Sequence, residues 1–304
     1  MLPDRPPHQA DRRRGLAWSF AAALGSALFV IPWKLANEAG NPDHSVLILL
    51  SAAAAANSAL VVGQRLVRGT LQIRKPGFDL AVAALLAVFT LAGNLASARA
   101  SQDLSPAMLN VLLRAEVMLV ALVAWILLGE RVERRFWLGA TTAMLGLFIL
   151  QETSGGTSLR GLLGAGTGMA LAAAACFSAL AVVTRHFIHR IDPVLVNALR
   201  LWVAVALWFP FHALPRPGEI PARQILWAVL AAMMGPFASR LCLMLSARDV
   251  EARTTTLANL TSPLMTLPLG WLLLSDLPAP QQLLGGAIMI AGIAIPLLPR
   301  RRPA

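Results

Sequence analysis

Ten long apolar segments recur along this chain, and they constrain its fold more than any other feature of the sequence. A helix needs about 20 mostly apolar residues to cross a bilayer, because the hydrocarbon core is roughly 30 Å thick and each residue rises about 1.5 Å. Alanine, leucine and glycine dominate the segments, and the alternating pattern of a membrane β-barrel is missing. We therefore predict an all-α integral membrane protein with ten transmembrane helices, at residues 15–36, 44–66, 78–98, 106–128, 135–150, 162–184, 194–212, 224–245, 254–274 and 283–298.

The overall composition also indicates that lipid is the solvent for most of the chain. Of the 304 residues, 57% are hydrophobic and only 13% are charged, and the mean hydropathy is +0.66. A water-soluble domain of this size needs more charge to cover its surface. The apolar run after Arg12, Arg13 and Arg14 is long enough to span, so we interpret it as the first helix and not as a cleaved signal peptide. We expect a multi-pass protein of the inner membrane.

The basic residues are distributed unevenly between the two sides of the predicted helices. If the N-terminus is cytoplasmic, the cytoplasmic segments hold 18 of the 26 lysines and arginines and the external segments hold 4. The other four lie inside predicted helices: Lys34, Arg114, Arg200 and Arg240. This asymmetry follows the positive-inside rule and places both termini in the cytoplasm. The net charge of +11 is therefore explained by topology, and we predict no nucleic-acid partner.

The two halves of the chain repeat each other. Early positions align at an offset of 151 residues, such as Gly15 with Gly166, and later positions align at 146, such as Trp125 with Trp271. Each half holds five spans, and an odd number inserts the second half upside down, as in many secondary transporters. We predict cytoplasmic tails at 1–14 and 300–304, and two inverted five-helix repeats at 15–152 and 153–299.

Two motifs make the chain resemble the EamA-type branch of the drug/metabolite transporter superfamily. They are Leu128-Gly129-Glu130-Arg131 before a fifth helix containing Gly139, and Thr261-Ser262-Pro263-Leu264 followed by Leu274-Ser275-Asp276. The chain departs from the family in Ser275-Asp276, where Gly-Glu is usual, and in Arg114-Ala115-Glu116, where a less polar stretch is common. The resemblance implies ten helices, export or exchange of metabolites by alternating access, and a central cavity lined mainly by helices three, four, eight and nine.

Ionisable residues inside the fourth helix are the first candidates for a functional site. A charge at the centre of a spanning helix costs at least about 2.5 kcal/mol on insertion scales, so it needs a partner or a water-filled cavity. Glu116 is either a proton-coupling carboxylate or half of a structural ion pair. Arg114 is two positions earlier, which turns it about 200° away on a continuous helix. If the polar face of this helix lines the cavity, Arg114 and Asn110 contact substrate while Glu116 packs towards a neighbouring helix.

The repeat supplies further candidate residues. Arg240 occupies the position equivalent to Asn94, and we predict that both flank the substrate path, the alternative being contacts between helices. Asn259 and Ser262 form a weaker pair on the ninth helix. Lys34, after Trp33 at the outer end of the first helix, either snorkels to the interface or lines the cavity. Arg200 lies two turns into the seventh helix, and we expect it to snorkel.

We therefore predict a secondary transporter that moves a small metabolite, an amino acid or organic acid, in the export direction. A carboxylate-bearing substrate fits because the candidate residues include two arginines and one carboxylate. No zinc, nucleophile-elbow or phosphate-loop motif is present, so we expect no enzymatic activity, no metal and no cofactor. The alternative is a lipid-handling or scaffold membrane protein with a laterally open groove. We leave open whether the chain forms a homodimer.

Overall fold

The computed structural model describes residues 9–68, 76–104, 109, 112–128, 133–152, 165–216, 218–262, 264–265 and 279–297. These residues form helices and no strand, which confirms the all-α prediction. We label the helices α1 Gln9–Glu38, α2 Pro42–Arg68, α3 Pro76–Asp103, α4 Glu116–Leu128, α5 Arg134–Glu152, α6 Ala165–Phe187, α7 Pro193–Trp208, α8 Ala222–Asp249, α9 Ala252–Asn259 and α10 Pro280–Leu297. In the described part of the chain, six of them (α1, α2, α3, α6, α7 and α8) are long and apolar enough to cross a membrane.

Large apolar side chains cover much of the outside of the bundle. Val67 is 88% exposed, Ile126 65% and Leu145 63%, and each lies on a different helix. A water-soluble protein does not expose so many large apolar side chains, because each would be hydrated at a cost in free energy. The surface is that of a multi-pass membrane protein with its apolar side chains in lipid.

Helices α5 and α10 cross each other at two equivalent glycines, one from each repeat. A Cβ atom on Gly146 would lie 2.7 Å from the carbonyl oxygen of Gly285, and one on Gly292 would lie 2.7 Å from that of Gly139. These four glycines form two pairs related by the 146-residue offset, so the contacts are reciprocal. Only glycine permits backbones to approach this closely. The repeat therefore sets the tightest crossing between the halves.

A second pair of reciprocal contacts lies at opposite ends of the bundle. A Cβ on Gly15 of α1 would meet the Cβ of Asp249 of α8 at 2.8 Å, and one on Gly166 of α6 would meet the Cβ of Asp103 of α3 at 2.7 Å. Gly15 aligns with Gly166, and Asp103 with Asp249. Reciprocal contacts of this kind are what a pseudo-two-fold axis between the halves produces.

The predicted fourth span, residues 106–128, is interrupted by a turn just before α4. This turn changes the expected geometry of Arg114 and Glu116. Arg114 and Ala115 form a turn, and the amides of Ala115 and Val117 donate to carbonyls three residues back, those of Leu112 and Arg114. The 200° separation expected on a continuous helix does not apply across this turn. Both side chains line one cavity, so the prediction that Glu116 packs away from it is wrong.

The ninth helix is interrupted at the equivalent place. Leu260 and Thr261, which align with Arg114 and Ala115, also form a turn. Their backbone amides donate hydrogen bonds to the carbonyls three residues back. Pro263, which belongs to the motif of this segment, lies outside the described residues. Discontinuous helices at matching positions of two repeats mark the binding region of many secondary transporters, because irregular backbone is tolerated at membrane depth only beside protein or a cavity.

Helix α8 contains a wide π turn over Met233–Ser239, with Pro236 inside it. Proline has no backbone N–H and cannot complete the usual helical bond, so the chain widens locally. Gly235, Ser239 and Arg240 around this turn all line the cavity described below.

The glycine crossing yields a test of the fold. We expect Gly146→Ala to lower the midpoint of thermal unfolding in detergent, because its Cβ meets the backbone of α10, and overpacking of this kind costs about 1–3 kcal/mol. Gly168→Ala on α6 is the matched control, since a Cβ there meets nothing within 4 Å. Replacing glycine by alanine in a helix stabilises the helix by about 1 kcal/mol through helix propensity, and this gain applies to both variants. Equal melting temperatures for the two variants would contradict the crossing.

Candidate functional site

A cavity of about 510 Å³ lies between the two repeats. Its described walls come from α1, α3, α6, α7, α8, α9, the segment around Arg114, and the first residues of α2 and α4. The family resemblance implied helices three, four, eight and nine, so α1, α6 and α7 extend the expected set. A cavity of this size accommodates a small organic molecule.

The cavity extends towards the end of the bundle where α1 turns into α2. Lys34, Glu38 and Pro42 line it there, together with Gln102 at the end of α3. The opposite end is crossed by side-chain contacts. The Arg14 guanidinium donates to both carboxylate oxygens of Asp249, at 2.9 and 2.8 Å. The structure is therefore asymmetric, with the cavity reaching one end and an ion pair closing the other.

Hydroxyl groups continue the closure beside this ion pair. The hydroxyl groups of Ser19 and Ser246 lie 2.7 Å apart, and those of Ser246 and Thr255 lie 3.0 Å apart, so α1, α8 and α9 are linked in one chain of hydrogen bonds. The Arg185 guanidinium of α6 also donates to the Ala247 carbonyl of α8. The positions equivalent to Arg185 and Ala247 are Lys34 and Ser101, and both of these line the open cavity. The two residues that are bonded at the closed end, Arg185 and Ala247, thus have their repeat equivalents on the wall of the cavity.

Most of the predicted site residues lie on this cavity. The described lining includes Trp33, Lys34, Asn94, Arg114, Glu116, Arg240 and Asn259. Ser262 is 1% exposed and accepts a hydrogen bond of 2.8 Å from the Arg114 guanidinium. Asn110 lies outside the described residues. The structure therefore brings together seven of the nine predicted residues and connects an eighth to them through Arg114.

Neutral side chains form part of the cavity wall. The Asn94 amide donates to the Thr90 carbonyl at 2.7 Å, and the hydroxyl groups of Ser26 and Ser239 lie 2.9 Å apart. Ser26 also donates to Asn259 at 3.3 Å. The Trp33 ring is stacked on Phe29, with 5.6 Å between the ring centres. These residues form a mixed polar and aromatic wall, which can contact both the apolar and the polar part of a small molecule.

Glu116 is attracted electrostatically by both Arg240 and Arg114. Glu116 and Arg240 also line a second, smaller cavity of about 30 Å³, whose wall reaches Thr184 and Thr255. A cavity needs roughly 10–15 Å³ to hold a water molecule, so this space accommodates one beside the carboxylate. Glu116 therefore lies between the large cavity and a second, small cavity, whose wall includes Ala247 and Thr255 of the closed end.

Arg200 is the functional candidate that sequence reasoning missed. Its side chain is only 2% exposed and lines the large cavity, so the expectation that it snorkels to the interface is wrong. Its two terminal nitrogens donate to the hydroxyl of Thr90 at 2.8 Å and to the amide oxygen of Asn197 at 2.6 Å. Asn197 in turn donates to Asn57 at 2.7 Å. The spacing of Asn197 and Arg200, one helical turn apart in an apolar segment, was the available signal.

Among the described residues, no three His, Cys, Asp or Glu side chains come together as a metal site would require. The ionisable side chains on the described wall of the large cavity are four basic ones, Lys34, Arg114, Arg200 and Arg240, and two carboxylates, Glu38 and Glu116. Lys34 and Glu38 form an ion pair of 3.7 Å near the mouth. The interior therefore has a positive excess, which favours an anionic ligand.

Helices broken at equivalent positions, reciprocal contacts between repeats and a charged interior cavity are features of multi-pass membrane transporters. The model of the EamA-like transporter family matches residues 13–151 and again residues 164–298, and the chain belongs to this family. It is also similar to a solved structure described as "Crystal structure of protein", with a TM-score of 0.74, 20% identity, and coverage of 92% of this chain and 96% of that one. That similarity shows the fold alone. No curated protein matches the chain.

The Arg200 network yields a test of the site. We expect Asn197→Leu to destabilise the protein by about 1–3 kcal/mol for each buried partner left unsatisfied, because Arg200 loses an acceptor and Asn57 a donor. Ser58→Ala is the control, since it removes an exposed hydrogen bond of 2.9 Å from Trp202 between the same two helices, α2 and α7. Thermal unfolding in detergent measures both. A loss of stability in Ser58→Ala as large as that in Asn197→Leu would show that the network has no special role.

Proposed function

We propose that this protein is a secondary transporter of the inner membrane that exports a small carboxylate-bearing metabolite, an amino acid or organic acid, by alternating access. The observation that carries the proposal is the cavity wall, where Arg114, Arg200 and Arg240 accompany the single interior carboxylate of Glu116 among the described residues. Guanidinium groups bind carboxylates through two parallel charge-assisted hydrogen bonds. An anionic group is therefore the ligand that this interior recognises best.

The asymmetry between the two ends supports alternating access. With the N-terminus in the cytoplasm, the Arg14 and Asp249 ion pair is on the cytoplasmic side, and the cavity extends towards the outside. In the opposite state, the repeat predicts that Lys34 donates to the Ser101 carbonyl, as Arg185 now donates to Ala247. The residue equivalent to Arg14 is Ala165, which carries no charge. The cytoplasmic end thus has an ion pair without a counterpart at the outer end, which favours the outward-open state at rest.

The direction of export agrees with the charge of the proposed substrate. The potential across an energised inner membrane is negative on the cytoplasmic side. Moving one elementary charge across 100 mV changes its free energy by about 2.3 kcal/mol. An anion is therefore driven outwards. The positive excess on the described cavity wall supports a water-soluble anion as substrate over the acyl chains of a lipid, which carry no charge.

The decisive experiment is counterflow in proteoliposomes. We expect liposomes preloaded with unlabelled organic acids or amino acids to accumulate the same labelled solute only when they contain the protein. Arg114→Ala should reduce the rate about tenfold or more, because a charged hydrogen-bonding partner of the substrate is lost. Arg216→Ala is the control, since Arg216 lies at an exposed site between α7 and α8. An absence of counterflow for every anionic and zwitterionic solute would refute the proposal.

Glu116 is proposed as a proton-coupling carboxylate, supported by its place between the two cavities. We expect Glu116→Gln to lose the stimulation of transport by a pH gradient while keeping counterflow without a gradient, because the amide cannot take up a proton. Glu219→Gln, at an exposed position, is the control. If Glu116 serves only as an ion-pair partner, Glu116→Gln will instead reduce stability and gradient-free counterflow and keep the response to the pH gradient.

A further inference from the structure

Among the described residues, Arg200 has no acidic hydrogen-bond partner. Its hydrogen-bond partners, the Thr90 hydroxyl and the Asn197 amide, are both neutral. Its third nitrogen, Nε, is buried and has no hydrogen-bond partner among the described residues. A buried guanidinium is expensive without a counter-charge, so a site of this kind indicates an anion that comes from outside the protein.

Glu116 forms no ion pair with Arg200, since the partners of the two terminal nitrogens of Arg200 are Thr90 and Asn197. The Glu116 carboxylate interacts electrostatically with Arg240 and Arg114. Arg240 and Arg200 are close enough to repel one another. In the interior of the cavity, three arginines and one glutamate among the described lining residues leave a net charge of +2. The Lys34 and Glu38 pair at the mouth adds nothing to this total, since the two charges cancel.

A net charge of +2 discriminates between the two substrate classes left open above. A zwitterionic amino acid has no net charge, and its ammonium group would lie among three guanidinium groups with only Glu116 to attract it. A monocarboxylate would neutralise one of the two excess charges. A molecule with two separate anionic groups would neutralise both, so its binding would leave no uncompensated charge in a region of low dielectric.

We infer that Arg200, held by Thr90 and Asn197, forms a second anion subsite, and that the preferred substrate is a small organic dianion of the dicarboxylate class. One carboxylate binds at Arg200, and the other binds at Arg240 and Arg114. This inference rests on the proposed transport function and narrows its substrate class.

The hydrogen bonds of Arg200 orient it for this role. Thr90 donates its own hydroxyl proton to the Leu86 carbonyl at 2.8 Å, so its oxygen lone pairs are free to accept from Arg200. Asn197 is fixed in the same way by Asn57, whose amide donates to the Ala53 carbonyl at 2.8 Å. The guanidinium is therefore held in one orientation before substrate arrives, which reduces the entropy lost on binding.

Counterflow in proteoliposomes with matched solutes tests the inference. The probes are succinate as dicarboxylate, butyrate as the monocarboxylate of equal chain length, and alanine as zwitterion. We expect wild-type protein to exchange succinate at least about tenfold faster than butyrate or alanine. Arg200→Gln should remove that preference by slowing succinate selectively, and Arg200→Lys should restore part of it. Arg190→Gln, an exposed arginine beyond the end of α6, is the matched control and should behave as wild type.

The outcomes separate this inference from the proposed function. If no solute exchanges, the proposed transport function fails. If wild-type protein exchanges butyrate or alanine as fast as succinate, transport stands and the dianion inference is overturned. Retention of the full succinate preference in Arg200→Gln would also overturn the role of Arg200. Should Arg200→Gln fail to fold in gel filtration, Thr90→Val, which removes one acceptor and keeps the charge, must weaken the preference for succinate, and the wild-type ratios still decide the substrate class.

Discussion

The requirement that every polar group in a bilayer find a partner determines most of this structure. Lipid offers no hydrogen bonds, so backbone amides and carbonyls must be paired within helices, and charges must be paired or placed in a cavity. Turns within the apolar segments accordingly occur in two equivalent places, at Arg114 and at Leu260, one in each repeat. The π turn around Pro236 lies on the wall of the same cavity. Irregular backbone and ionisable side chains therefore lie together in the protein interior, and large apolar side chains face outwards.

The two repeats share a backbone plan but differ in the chemistry of equivalent side chains. The glycine contacts are reciprocal, as at Gly146 and Gly292, because both halves need the same close approach. The cavity charges are not reciprocal. Arg240 is equivalent to Asn94, Glu116 to Ser262 and Arg200 to Leu49. A pseudosymmetric backbone thus holds a set of cavity side chains that is not symmetric.

Sequence reasoning failed for Arg114 and Glu116 because it assumed a continuous helix. The rule that residues two apart face opposite ways is a property of regular α-helical dihedral angles, and a turn at Arg114 and Ala115 removes it. No proline or glycine occurs between Leu109 and Glu116 to mark that turn, although Pro263 follows the equivalent turn in the second half. Comparison of the two repeats was the one signal that could have placed the interruption.

What the sequence by itself determined is the solvent of the protein, its secondary structure and the pairing of its repeats, because apolar segment length, charge asymmetry and glycine spacing follow directly from the order of residues. It also identified most of the ionisable side chains on the described wall of the cavity, since an ionisable group in an apolar segment needs a reason to be there. Only the tertiary structure decided that Arg200 is interior, because α7 packs against α2 and α3, and Thr90 and Asn197 bind its guanidinium there. The net charge of the cavity depends on that one placement, and long-range packing sets it where local sequence cannot.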